Sequence, residues 1–303
     1  MNRLKVVLSL TTQENDYQRE QAKAAEETAR RVGASVEIVY ANNDAINQSQ
    51  QLLSIIQGAE SARPNAIIFE PVGTGLPQVA RAAAMAKIGW VVLNRDVDYI
   101  GELRRYGVPM FEVSSDHEEV GRIQGRQIEV LLPNGGNILY IQGPASSSAA
   151  AQRTSGMEKT KPVNVQVRTM KGQWTEDSAY KAVESWLRLS TSREVPIHAV
   201  VAQDDAMAIG ARRALLEQAN ADHDRWTRVP FTGCDGLPET GQAWVRSGLL
   251  TATVHVPPNA STALEMLAEV MFKGLQPAER TLTVPKSFPA IDALKAKARG
   301  VGA

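Results

Sequence analysis

The chain has 303 residues, with 33 Lys plus Arg against 33 Asp plus Glu and a formal net charge of zero. That balance leaves no electrostatic footprint for nucleic acid or an anionic membrane surface. A single cysteine, Cys234, excludes an internal disulfide framework and any all-cysteine metal site, and no stretch approaches the ~20 apolar residues that span a bilayer.

Taken in order, short runs of Val, Ile and Leu alternate with longer helical patterns. The opening "MNRLKVVLSLTTQEN" carries two cations and a short apolar run without a small-residue cleavage site. It reads as a first strand rather than a secretory leader, so the chain as written is soluble and leaderless, and a cytoplasmic location stays open. A helix over 17–32 follows, then "VEIVY", a helix over 45–59, "AIIFEP", a helix over 76–87 and "WVVLN". After "MFEVSSD" come a helix over 118–131, "NILYIQG", a helix over 149–159, "VQVRTM" and a helix over 176–189. "HAVVAQ", a helix after Asp205, "VPFTGCD", a short helix over 239–246 and "LTATV" continue the series. Near-continuous apolar strands alternating with helices predict an α/β protein of right-handed βαβ units whose parallel sheets are covered on both faces. The strands are too many for one modest sheet, and the break at "FEVSSDHEEVG" predicts two sheets of about five or six strands each. A late amphipathic helix after Pro257 and Pro258, the strand "RTLTVPKSF" and a helical tail over 291–299 do not fit a simple split into halves.

In open parallel sheets ligands lie beyond the carboxyl ends of the strands. The residues there are Thr11 to Tyr17, Glu70 and Pro71, then Asn94, Arg95 and Asp96. The second half supplies Gly143 to Arg153, Gln173 and Trp174, Gln203 to Asp205, then Cys234 and Asp235. Carboxylates, amides, arginines and aromatic faces of this kind suit a hydroxyl-rich ligand. They suit an enzyme poorly: no Ser-His-Asp order is visible, and the four histidines are scattered at 117, 198, 223 and 255. Asp204 and Asp205 stand where the strand "VVAQ" meets a helix. Asp205 is read as the helix N-cap and Asp204 as a residue facing the ligand. Two adjacent carboxylates without further ligands fit no metal spacing, so neither metal nor cofactor is expected. Cys234 is read as a buried filler, and the glycine-rich pieces lack a nucleotide-cradling pattern.

These segments together resemble a type I periplasmic sugar-binding protein of the ribose-binding kind, the fold shared with the effector domain of LacI-type repressors. The resemblance runs from "KVVLSLTTQENDY" to "LTVPKSF" and is strongest in "VVAQDDAMAIGARRAL", "TGCDGLPETGQAWVRSGLLTATV" and "VVLNRD". It implies two doubly wound parallel-sheet lobes joined by three hinge strands, one lobe from 1–113 plus 257–283 and the other from 114–256 plus 284–303. Hinges would fall near Ser114, Val256 and Val284, with the ligand cleft between the lobes. It also implies the ligand-binding residues: Asn15 and Tyr17 as early polar and aromatic contacts, Asn94 and Arg95 after the fourth strand, and Arg153 opening a helix. Trp174 would stack, Asp204 would face the ligand and Asp235 would grip hydroxyls. The chain departs from the ribose binders in having Asn94 for an aspartate, Asp204 for an asparagine, Cys234 and Gln18 for aromatics, and Val256 for a glutamine. The two amide–acid exchanges keep the formal charge while moving it to the other lobe, which argues against ribose itself and for another sugar, a polyol or a cyclitol.

The resemblance implies a non-catalytic, monomeric, periplasmic solute-binding protein that closes on its ligand. It would deliver the ligand to a membrane ABC permease, or signal through a chemoreceptor or sensor kinase. The alternative is a cytoplasmic ligand sensor related to LacI-type effector domains. Without a helix-turn-helix headpiece, no nucleic-acid partner is expected.

Overall fold

A computed structural model describes residues 3–189, 196–218, 223–274 and 277–300. The chain divides into two compact units, 1–115 with 258–283 and 116–257 with 284–303. It passes from one to the other after Ser115, Pro257 and Thr283.

The first unit is built on β1 (Lys5–Leu10), β2 (Ser35–Tyr40), β3 (Ala66–Phe69), β4 (Gly89–Leu93), β5 (Met110–Ser115) and β11 (Arg280–Thr283). All pair in parallel, in the order β11-β5-β4-β3-β1-β2. The helices are α1 (Asp16–Val32), α2 (Ala45–Gln57), α3 (Pro77–Met85), the single turn α4 (Ile100–Leu103) and α11 (Asn259–Lys273). Successive strand residues point to opposite faces. Val6, Leu8 and Leu10 accordingly pack with Ala22, Ala25 and Ala29 of α1 and with Leu264 and Leu267 of α11. Val7, between them, joins Leu52 and Ile56 of α2 and Val79 and Ala83 of α3. Burial on both faces explains why the strand sequences are unbroken apolar runs.

The second unit has a four-stranded parallel sheet in the order β7-β6-β8-β9, from β6 (Gly136–Gln142), β7 (Val165–Lys171), β8 (Ala199–Ala202) and β9 (Phe231–Thr232). An antiparallel pair, β10 (Thr253–His255) with β12 (Lys286–Phe288), continues it through single bridges at Thr232–Ala252 and Asp235–His255. Its helices are α5 (His117–Leu131), α6 (Ser148–Thr160), α7 (Glu176–Leu187), α8 (Asp205–Gln218), α9 (His223–Arg228), α10 (Gly241–Arg246) and α12 (Ile291–Gly300). Leu139 and Ile141 pack under α7 and α8, whereas Ile138 and Tyr140 pack with Ile128 and Met157 of α5 and α6.

Two sequence expectations change here. The second sheet is four strands plus a pair, because β9 is only two residues long and leaves its ladder where Asp235 and Gly236 take φ of 101° and 56°. The strand expected in "RTLTVPKSF" is two strands: β11 extends the first unit's sheet and β12 pairs with β10 in the second. Among the described residues, no helix is long and apolar enough to cross a membrane.

Where α8 begins, the capping residue is Asp204 and not Asp205, the one expected from the sequence. Asp204 is the N-cap, its Oδ1 accepting from the Met207 N–H at 2.9 Å. Asp205, already helical, points inward. Its Oδ2 accepts from the Gly236 N–H at 2.7 Å and its Oδ1 from the Thr253 hydroxyl at 2.6 Å. A Cβ at Gly233 would come within 2.1 Å of one carboxyl oxygen, and a Cβ at Gly241 within 2.0 Å of the other. The two outer glycines of "GCDGLPETG", Gly233 and Gly241, are therefore required by the volume of one buried carboxyl group. Burial drives the Asp205 pKa well above its ordinary value, with the Thr253 and Gly236 hydrogen bonds opposing. A second glycine pair sets the approach of α5 to α6. A Cβ on Gly121 would meet the Arg153 carbonyl at 2.0 Å, and one on Gly156 the Glu118 carbonyl at 2.0 Å.

Asp205→Ala should lower stability by about 2–4 kcal/mol in chemical denaturation, because it strands two buried donors and leaves a void. Asp205→Asn tests the proton. A buried acid with a raised folded pKa keeps a proton that the unfolded chain loses above the ordinary value of 3.8, so its stabilisation declines as pH rises. The wild type should therefore lose more melting temperature between pH 4.5 and 7.5 than Asp205→Asn does. An equally steep loss in the variant would assign the slope to other groups. Gly156→Ala should cost about 1–3 kcal/mol by overpacking against the α5 backbone, read in the same denaturation experiment.

Candidate functional site

The polar residues predicted to serve the ligand fall on both units, four on each. In the first unit, Asn15 caps α1, its Oδ1 accepting from the Gln18 N–H at 3.2 Å. Tyr17, two residues on, is buried. The Gln18 side chain accepts from the Thr11 N–H at 3.1 Å and donates to Glu70 Oε2 at 3.0 Å. Asn94 donates to the same carboxylate oxygen at 3.1 Å, and Asn259 at the start of α11 donates in turn to Asn94 Oδ1. Asn259 also donates to the Ser115 hydroxyl at 3.0 Å and accepts from the Thr283 hydroxyl at 2.6 Å. One hydrogen-bonded series thus runs from the end of β1 across β3 and β4 to the last residues of β5 and β11. Arg95 is half-buried and donates to the Asn94 carbonyl at 2.8 Å.

Glu70 alters the charge account read from the sequence. Asn94 stands where the resemblance implies a carboxylate, and Glu70 of the neighbouring strand end supplies one against it, at 5% exposure. The strand ends of this unit therefore hold an acid on the strand beside that of Asn94. The signal was present in "IIFEP", where a charged residue ends a wholly apolar run, yet spacing alone does not aim it at Asn94.

In the second unit the four predicted residues come together. The Arg153 guanidinium donates to the Gln203 carbonyl, lies 3.9 Å from Asp235 Oδ1 and sits 5.5 Å above the Trp174 ring. Trp174 packs on the backbone of Gly143, where a Cβ would come within 2.1 Å of its ring. Gln203, noted in the sequence as a strand-end residue but not as a ligand contact, fixes the floor: its side chain donates to the Tyr140 hydroxyl at 2.8 Å and the Ala150 carbonyl at 2.9 Å, and accepts from the Gly143 N–H at 2.9 Å. Asp204, besides capping α8, hydrogen-bonds through its side chain to Asp235. Burial raises the Asp235 pKa most, the Asp204 charge raises it further, and Arg153 opposes both. Cys234 beside it is fully buried, and burial pushes its thiol well up, which removes thiolate reactivity. Among the described residues, no group of three or more His, Cys, Asp or Glu is arranged to hold a metal ion.

Backbone strain marks the same places. Asn94, Trp174 and Asp235, three of the eight predicted residues, have φ of 55°, 60° and 101°. A non-glycine residue in this region costs of order 1–3 kcal/mol and persists where surrounding structure enforces it, most often at binding sites.

A family model for the periplasmic binding protein domain matches residues 6–274. The ribose import binding protein of Salmonella typhimurium is 24% identical over 278 residues, 91% of this chain and 84% of that one. The xylitol-binding protein of Mycolicibacterium smegmatis is 30% identical over 225 residues, 71% of this chain and 57% of that one. Among solved structures, the periplasmic binding component of the arabinose ABC transporter from Shewanella sp. ANA-3 has a TM-score of 0.80 at 24% identity, covering 98% of this chain and 96% of that one. Parallel sheets of this order, the polar strand ends and a family match over most of the length agree: the chain belongs to the type I periplasmic sugar-binding proteins of the ribose-binding kind, a non-enzymatic family of ABC-transport solute receptors.

Proposed function

We propose that this chain is the periplasmic receptor of an ABC importer and that it binds a small polyhydroxylated solute, a sugar, polyol or cyclitol, through strand-end residues of both units. The observation that carries the reading is the burial of Glu70, Asn94, Arg153, Asp204 and Asp235 at the strand ends, with Asn94, Trp174 and Asp235 at positive φ. Strain is retained there beside buried acids, amides and arginines, the groups that pair with hydroxyls. The ribose- and xylitol-binding names of two relatives support the ligand class. The contacts proposed are Asn15, Tyr17, Asn94 and Arg95 from the first unit and Arg153, Trp174, Asp204 and Asp235 from the second. Glu70 joins the first set, since its Oε2 gathers two amides. Binding to residues of both units selects a closed form that makes both sets of hydrogen bonds, and that form is what the permease reads.

A thermal-shift screen over pentoses, hexoses, polyols and inositols tests this, since a ligand that binds only the folded state raises stability by RT ln(1 + [L]/Kd). A ligand at about 100 Kd adds roughly 2.7 kcal/mol, a readily measured rise in melting temperature. Calorimetry on the best ligand should then show Arg95→Ala and Asp235→Ala each weakening binding by at least about tenfold, the loss expected when a charged hydrogen-bonding partner goes. Unchanged affinity in both variants would refute the residue assignment, and an empty screen would refute the ligand class.

A further inference from the structure

β5 carries an acid where its place in the sheet calls for an apolar side chain. Met110 packs into one core of the first unit, Phe111 and Val113 into the other, and Glu112 is buried among them at 4% exposure. A carboxyl group is costly to bury unless hydrogen bonds and charge answer it. Glu112 is answered from two directions. Its Oε1 accepts from the Val97 N–H at 3.2 Å, and Arg280 Nε of β11 lies 3.9 Å from its Oε2. Arg280 is paired opposite Glu112 in the ladder of β5 with β11, and it also donates to the Asp96 carboxylate.

Val97 and Asp96 belong to the loop that runs from Asn94 to Tyr99 between β4 and α4. Two successive residues of β5 pin this loop. The Asn94 N–H donates to the Val113 carbonyl at 3.1 Å, and the Val97 N–H donates to the Glu112 side chain. Arg95 lies between the two pins. The Val97 side chain is fixed as well, since a Cβ on Gly75 would meet its Cγ1 at 2.2 Å. Asn94 opens the loop at φ 55°, a conformation that persists where surrounding structure enforces it. We propose that Glu112 is a positioning residue of the solute site: through the Val97 N–H it fixes the backbone of Arg95, and so the place of the Arg95 guanidinium. This rests on the reading of Arg95 as a solute contact and goes beyond it to what holds that contact in place. An apolar side chain at 112 fills the same space but leaves the loop one pin, and a solute must then order the loop before it can use Arg95.

A double-mutant cycle tests it, by calorimetry at pH 7 with whichever of D-ribose, L-arabinose, xylitol and myo-inositol binds most tightly. Glu112→Met keeps the length of the side chain and removes the acceptor. It should weaken binding by at least about fivefold through lost preorganisation. Its melting temperature should stay close to that of the wild type, because exchanging a buried ionic group for an apolar one is often neutral or stabilising. Glu112→Gln, whose amide oxygen still accepts from the Val97 N–H, should bind within about twofold of the wild type. In an Arg95→Ala background, Glu112→Met should change affinity by less than about twofold. Equal losses in both backgrounds, or no loss in the Arg95 background, overturn the positioning role and leave the sugar-receptor reading standing. Arg95→Ala without effect, or no binding by any of the four probes, refutes the contact and the positioning role with it. Hydrogen exchange at the Val97 amide reads the pin without a solute: it should be about tenfold or more faster in Glu112→Met, and an unchanged rate overturns the proposal. Glu112→Leu takes the place of Glu112→Met if that variant does not fold.

Discussion

A single carboxyl group organises the carboxyl-terminal edge of the second unit. Asp205 enters α8 with its side chain turned inward; Gly233 and Gly241 flank it because a Cβ at either would meet its carboxyl oxygens, and the Gly236 N–H donates to it. With those positions fixed, the chain after β9 must turn sharply, which places Asp235 at φ 101°. β10 must also come close enough for the Thr253 hydroxyl to reach the acid. Short β9 and the single bridges on either side of it are the visible outcome of backbone bent around a buried polar group rather than continued as a ladder. A fully satisfied buried group of this kind specifies one arrangement, since any slip leaves donors without acceptors.

The first unit solves a related problem with amides. Gln18, Asn94 and Asn259 each donate and accept, so they can pass a hydrogen-bonded series through the interior without a net charge at every step. The series ends at Ser115 and Thr283, where the chain leaves the unit. Strand-end chemistry and chain crossing are therefore one network, and a change at Asn94 reaches both. Glu70 is its charged member, and its carboxylate, not that of residue 94, gives this edge its negative character.

Much of this was legible in sequence. Unbroken apolar strands, helices of ordinary length and the polar residues after each strand gave class, element order and the eight strand-end positions. That Asp204 and not Asp205 caps α8 was not legible. Either acid can cap a helix in that position, and which one turns inward depends on Gly233 and Gly241, some thirty residues away, which local pattern does not reach. Glu70 was noted as a strand-end residue but not as the partner of Asn94, because pairing of β3 with β4 is a tertiary fact. Short α4 and α9, of four and six residues, were missed; so few positions give periodicity little to show, and the six-residue α10 was read only as part of a longer span. Splitting "RTLTVPKSF" into two strands belonging to different units is invisible to a pattern that sees only one extended run.

Position of β11 in the chain has a consequence for biogenesis. It covers the edge of β5, whose six residues are all buried, and α11 covers one face of the same sheet. Both are encoded after the whole body of the second unit. During synthesis, the first 115 residues emerge with β5 still an open edge and one apolar face bare, for as long as about 150 further residues take to appear, several seconds or more at ordinary elongation rates. An unfinished sheet with an exposed apolar edge is a template for association with another chain. The order of segments thus delays completion of the first unit until late in translation, which is compatible with keeping a nascent chain loose, and it makes that interval the time at which protection by a chaperone matters most.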